Sequence, residues 1–126
     1  MAALTADRNT KRRDGDLFSF EAAKAIYAGA LVAINADGKA VPATAAGTAC
    51  AGVAQHQAAA GEPVLVRRGV FNFEDGADDA ALTRADIGAT AYVADDQTVK
   101  KAAGTPAAPV AGIIVDVDAE GVWVRI

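Results

Sequence analysis

The chain has 126 residues, a net charge of −4, and 52% hydrophobic but only 6% aromatic residues. That length makes one domain with one modest core. The acidic balance argues against duplex DNA or RNA as a partner, the single Cys50 excludes an internal disulfide or a Cys-based zinc cluster, and no apolar run nears the roughly 20 residues of a membrane helix. The first residues are polar and charged, unlike a secretory signal, so a soluble protein made in the cytosol of its host is expected. Much of the hydrophobic fraction is Ala. Burial yields roughly 25 cal/mol per Å² of apolar area, so Ala and Val gain less than Leu, Ile and Phe. Part of the stability is therefore expected to come from self-association or docking.

Residues 1–16, MAALTADRNTKRRDGD, offer little to bury. The first 24 residues carry five basic and four acidic side chains, the remainder seven and twelve. The arm thus differs in charge from the body. Such a segment is either a frayed terminus or an arm that orders on a partner. Leu17–Glu21, LFSFE, alternates and predicts a first strand with Phe18 and Phe20 on one side, facing a core or a subunit contact. Residues 22–28 contain good helix formers but are short and stopped by Gly29, which favours an extended segment with a tight bend.

Residues 31–34 predict a short apolar strand, 35–38 (NADG) a hairpin turn in which Asp-Gly supplies positive φ, and 39–41 the return, ended by Pro42. A small-residue loop leads to a strand at Cys50–Ala54, with Gly52 at a bulge or close approach. Residues 64–68, VLVRR, form a strong β run that Gly69 interrupts and residues 70–74, VFNFE, continue. Arg67 and Arg68 suit either an exposed strand edge, where charge discourages stray pairing, or an interface. Residues 74–79, EDGADD, must be a solvated loop. Thr83, with Asp86 three residues on, predicts one short helical turn or two over residues 80–87, closed by Gly88.

A second copy of the plan then begins. Residues 88–93 match 29–34, 103–105 match 46–48, 111–113 match 51–53, and 122–125 match 64–67. The glycine offsets are 59 (Gly29 to Gly88), 57 (Gly47 to Gly104) and 60 (Gly52 to Gly112, Gly61 to Gly121). Matched turns and strands in one order are harder to obtain by chance than shared composition. The expected fold is mainly β: a small barrel or sandwich built from two similar repeats, with one short helix and an extended N-terminal arm. The expected division is an arm over 1–16 and a single β domain over 17–126, with repeat-like halves at about 26–74 and 88–126.

No catalytic constellation is visible. His56 is the only histidine, in a polar connection. Cys50 sits in an apolar strand, where it reads as a small buried hydrophobe. Glu74, Asp75, Asp78 and Asp79 do not fit the spacing of a Ca²⁺ loop. Asp116 and Asp118, two apart on a strand, point to one face, with no cleft to make them an acid–base pair. No catalytic, cofactor-binding or metal-ligating residue is assigned, and no cofactor is expected.

The stretches RRDGD, IYAGALVAINADGKAVPAT, VRRGVFNFED, TRADIGATAYVADDQTV and AGIIVDVDAEGVWVRI resemble the capsid cement, or head decoration, proteins of tailed phages and prophages, particularly Mu-like ones. The resemblance runs over nearly the whole chain. It implies a β-rich, non-enzymatic virion protein that binds the outer surface of the phage head and stabilises contacts between major capsid subunits. It also implies homo-oligomers, with trimers common in similar proteins, and no nucleic-acid or membrane partner. The family fixes no contact positions. From this sequence the expected capsid or subunit contacts are Arg8, Lys11, Arg12 and Arg13 of the arm, Phe18 and Phe20 at its base, and Arg67 and Arg68. The alternatives are another virion or tail-associated connector, or a small host-surface or carbohydrate-binding module. The last would want exposed aromatics, whereas the seven here fall mostly in apparent strand cores.

Overall fold

The computed structural model describes residues 2–11, 13 and 15–126. Ten strands form in chain order: β1 (Leu17–Glu21), β2 (Leu31–Ile34), β3 (Ala40–Pro42), β4 (Cys50–Ala54), β5 (Pro63–Arg67), β6 (Val70–Asp75), β7 (Thr90–Val93), β8 (Thr98–Lys100), β9 (Val110–Asp118) and β10 (Gly121–Arg125). The fold is mainly β, as the alternation and turn residues predict. Among the described residues helix is confined to two 3₁₀ turns, Asp78–Ala80 and Arg84–Asp86. The second starts on the expected capping box: the Ala85 N–H donates to Thr83 Oγ1, and the Thr83 N–H to Asp86 Oδ2 at 2.8 Å.

The strands make two sheets of five. The first runs β1-β5-β4-β2-β3, and the second closes as a barrel, β10-β6-β8-β7-β9. The two have the same plan. β2 pairs antiparallel with β3 and β4, and β4 with β5; β7 pairs in the same way with β8 and β9, and β9 with β10. The register slips between Val32 and Ala33 in the first sheet and between Ala91 and Tyr92 in the second, the same place in each. β6 closes the second barrel by pairing in parallel with β8. In the first sheet the equivalent closure is one parallel bridge, Ala22 to Ala40, so that sheet almost closes too. Lys39 and Glu21, 3.5 Å apart, span the same seam.

The repeat therefore begins earlier than its glycines suggest. β1 and β6 occupy equivalent places, β1 against β5 and β6 against β10, and LFSFE aligns with VFNFE at an offset of 53 rather than 59. β6 does not continue β5. At Gly69 (φ +155) the chain leaves one sheet and enters the other. The expected Asp-Gly hairpin is a longer loop. Ile34 pairs with Ala40 across five residues, only Gly38 has positive φ, and Asn35 Oδ1 accepts from the N–H groups of Asp37 and Lys39, each at 3.0 Å.

The burial pattern follows from size. A five-stranded barrel is narrow, and its interior admits small side chains. The first sheet encloses Ala22, Ala30, Ala40, Ala54 and Ala58 around Ile26, Val32, Val64 and Val66. The second barrel holds the larger Phe73, Val93, Val99, Ile114, Val122 and Val124. The barrels also share a core. Leu31, Ala33, Ala43 and Val53 face out of the first sheet yet are buried in the cluster of the second. At this joint the Leu31 N–H donates to the Asp96 carbonyl at 2.8 Å.

Candidate functional site

The arm carries the first group of expected contacts. Residues 2–11 form no strand or helix, and Arg8, Lys11 and Arg13 are exposed. Arg12 lies outside the described residues. The arm meets the body at Asp16, whose carbonyl accepts from the Arg68 N–H at 2.8 Å. Its carboxylate lies 3.1 Å from Arg67 Nη1. Exposed pairs of this kind contribute at most about 1 kcal/mol, so the carbonyl contact is the firmer tie.

Phe18 and Phe20 sit opposite Val66 and Val64, both fully buried. Cross-strand partners share a face, so both rings point to the inside of the first sheet. Phe20 packs against that core, and Phe18 is half-buried. Phe20 is thereby committed to the fold before any partner arrives. Arg67 is not at a sheet edge, because β5 is paired on both sides, by β1 and β4. It points outward with Leu65 while Val64 and Val66 point in. Arg68 follows the strand and is exposed.

The groups that suggested chemistry are engaged in structure. His56 Nε2 accepts from the Leu65 N–H at 3.1 Å, which leaves Nδ1–H to donate to the Gln57 carbonyl at 3.1 Å. The ring stands in for a missing strand partner. Asp75 accepts from the Leu82 N–H at 2.7 Å and holds the loop beyond β6. Asp116 takes Arg84 at 2.7 Å, and Asp118 takes the Trp123 indole N–H at 3.0 Å. Among the described residues no three His, Cys, Asp or Glu side chains gather at metal-binding distance.

Burial pushes the Cys50 thiol from its ordinary 9.0 up to about 11. A nucleophilic thiol needs the opposite shift. Below about pH 9 the thiol is neutral in folded and unfolded chains alike. Between about pH 9 and 11 only the unfolded chain releases the proton, so Cys50 lowers stability as pH rises through that window. The expected result at pH 8 is that an aromatic disulfide reagent labels the native thiol at least about tenfold more slowly than the urea-unfolded one. Equal rates would show an accessible thiolate instead.

The surface the residue pattern did not reveal lies on β7 and β9. Val110 is 50% exposed and Ile113 47%. Paired neighbours set them in two rows: Lys100–Tyr92–Val110 and Thr90–Ile113–Arg125. The equivalent rows on the first sheet are Val41–Ala33–Cys50 and Leu31–Val53–Arg67. In those rows Leu31, Ala33 and Val53 are buried in the second barrel's cluster and Val41 and Cys50 pack against it, while Arg67 stays exposed. Tyr27, 68% exposed, is the aromatic that departs most from the expected core placement. It lines a shallow cleft at the joint with Gly29, Asp96 and Gln97. No protein-family model, no curated protein sequence and no solved structure matches the chain.

Proposed function

We propose that the protein is a capsid decoration protein, which binds the outer surface of a phage head and braces neighbouring major capsid subunits. It is not an enzyme on this reading, and its place is the exterior of the virion. The sequence resemblance to Mu-like head decoration proteins motivates it. The observation that carries it is the division of the molecule into a charged, exposed arm and a body of one closed barrel and one five-stranded sheet that nearly closes. In the body, His56, Asp75, Asp116 and Asp118 accept from its own backbone N–H groups. The arm's basic side chains suit acidic or carbonyl-rich surface. Repetition over a shell turns weak contacts into firm attachment through avidity.

Asp16 belongs to the body through its carbonyl bond to Arg68, so the test removes residues 2–13 and leaves Asp16. The truncated protein is expected to keep its β circular dichroism and melting temperature. Its binding to undecorated heads of the encoding phage or prophage should weaken by about tenfold or more in co-sedimentation. Full occupancy by the truncated protein would remove the arm from the reading. No binding by the full chain would overturn the reading itself.

A further inference from the structure

We infer that the β7–β9 face docks a second copy of this chain, head to tail, as the continuation of the interface between its own two barrels. The internal repeat places one face twice in the chain. Leu31, Ala33, Cys50 and Val53 form an outward face on the first sheet, and the second barrel covers it. Thr90, Tyr92, Val110 and Ile113 hold the equivalent positions on the second barrel, and there Val110 and Ile113 are exposed while Thr90 and Tyr92 are half-buried. One half of the chain thus covers this face and the other half presents it.

The backbone carries the same asymmetry. The Leu31 N–H donates to Asp96 in the turn between β7 and β8. Its repeat equivalent, the Thr90 N–H, has no bond beyond the strand ladders among the described residues. The turn equivalent to that of Asp96 lies between β2 and β3, where Ala36, Asp37 and Gly38 are exposed. In the inferred contact, Asp37 of one copy sits over β7 of the next and its carbonyl accepts from the Thr90 N–H. The chemistry of the open face suits separable chains. Thr90 stands where Leu31 does and Lys100 where Val41 does, so a polar rim surrounds Val110 and Ile113. Lys100 and Arg125 also offer positive charge to Asp37. Each chain then has one free face and one free turn. Such a contact is heterologous, and it builds a ring where the rotation closes.

The inference stands apart from the decoration reading, because a monomer is equally able to bind a head. The full chain at about 10–200 µM is expected to sediment as an oligomer. The variant Val110→Lys with Ile113→Lys should sediment as a monomer with an unchanged circular dichroism spectrum, as both residues are already half in water. In a Cys50→Ala background, chains carrying Thr90→Cys should form disulfides with chains carrying Asp37→Cys and not with each other. A monomeric wild type, an oligomeric lysine variant, or Thr90→Cys chains that cross-link among themselves would overturn it. The last result would signal a face-to-face dimer.

Discussion

Gly112→Ala is expected to destabilise the protein by about 3 kcal/mol or more, a large share of the roughly 5–15 kcal/mol of a typical domain. The cause is close approach. A β carbon at Gly112 would overlap the Arg125 carbonyl oxygen and lie 2.8 Å from Val124 Cγ1. Neither neighbour has room to retreat: Arg125 is held in the β9–β10 ladder, and Val124 is fully buried. Overpacking a filled interior forces backbone shifts. Gly52 repeats the arrangement, with its β carbon 2.5 Å from the Arg67 oxygen and 2.9 Å from Val66 Cγ1. There φ is +149, so Gly52→Ala adds backbone strain to the clash. Gly38→Ala is the control. It has positive φ and nothing within 4 Å, which sets its cost at about 1–2 kcal/mol. Urea midpoints rank the three directly. A Gly112→Ala midpoint within error of wild type would mean that β10 yields where its packing says it cannot.

Those two glycines also show how far the fold was legible. Their offset of 60 marks equivalent bulges, and from them the repeat, the β class and the Cys50–Ala54 strand follow. The beginning of the repeat was hidden by a length difference. Equivalent strands are 53 apart at β1 and β6 but 58–60 apart from β2 and β7 onward, because the connection into β7 is longer. An alignment pinned on glycines therefore passes over the likeness of LFSFE and VFNFE. Gly69 looked like a break within one strand because local pattern does not reveal which sheet a strand joins. Pairing partners decide that, and they lie far away in sequence.

The open face was hidden for a related reason. Residues 110–115, VAGIIV, carry no polar–apolar alternation that would mark an outward face. Which of them point outward depends on the bulge at Ala111–Gly112, since a one-residue slip exchanges the faces. With the bulge in place, Ala111 and Ile114 turn inward while Val110 and Ile113 turn out. The exposure of residues 2–11 needs no such knowledge, because solvation of Arg and Lys does not depend on the fold.

Leu31→Ala should reveal whether the two barrels stand or fall together. Leu31 is fully buried, yet it points out of its own sheet into the cluster of the second barrel. Truncating a buried Leu costs about 2–5 kcal/mol, according to how far the surroundings collapse. Collapse is limited here, because the Leu31 N–H is fixed to the Asp96 carbonyl across the joint. The upper half of that range is therefore expected. The repeat equivalent, Thr90→Ala, should cost no more than about 1 kcal/mol in dilute solution, because Thr90 is half-buried and belongs to neither core cluster. The shape of the transition carries further information. If the joint couples the barrels, Leu31→Ala moves a single melting transition down without splitting it. Two separated transitions in the variant would show that each barrel holds its own core and that the joint only tethers them. One transition is the expected outcome. The first sheet buries mostly Ala around one Ile and three Val, and so small an apolar interior leans on its neighbour for stability.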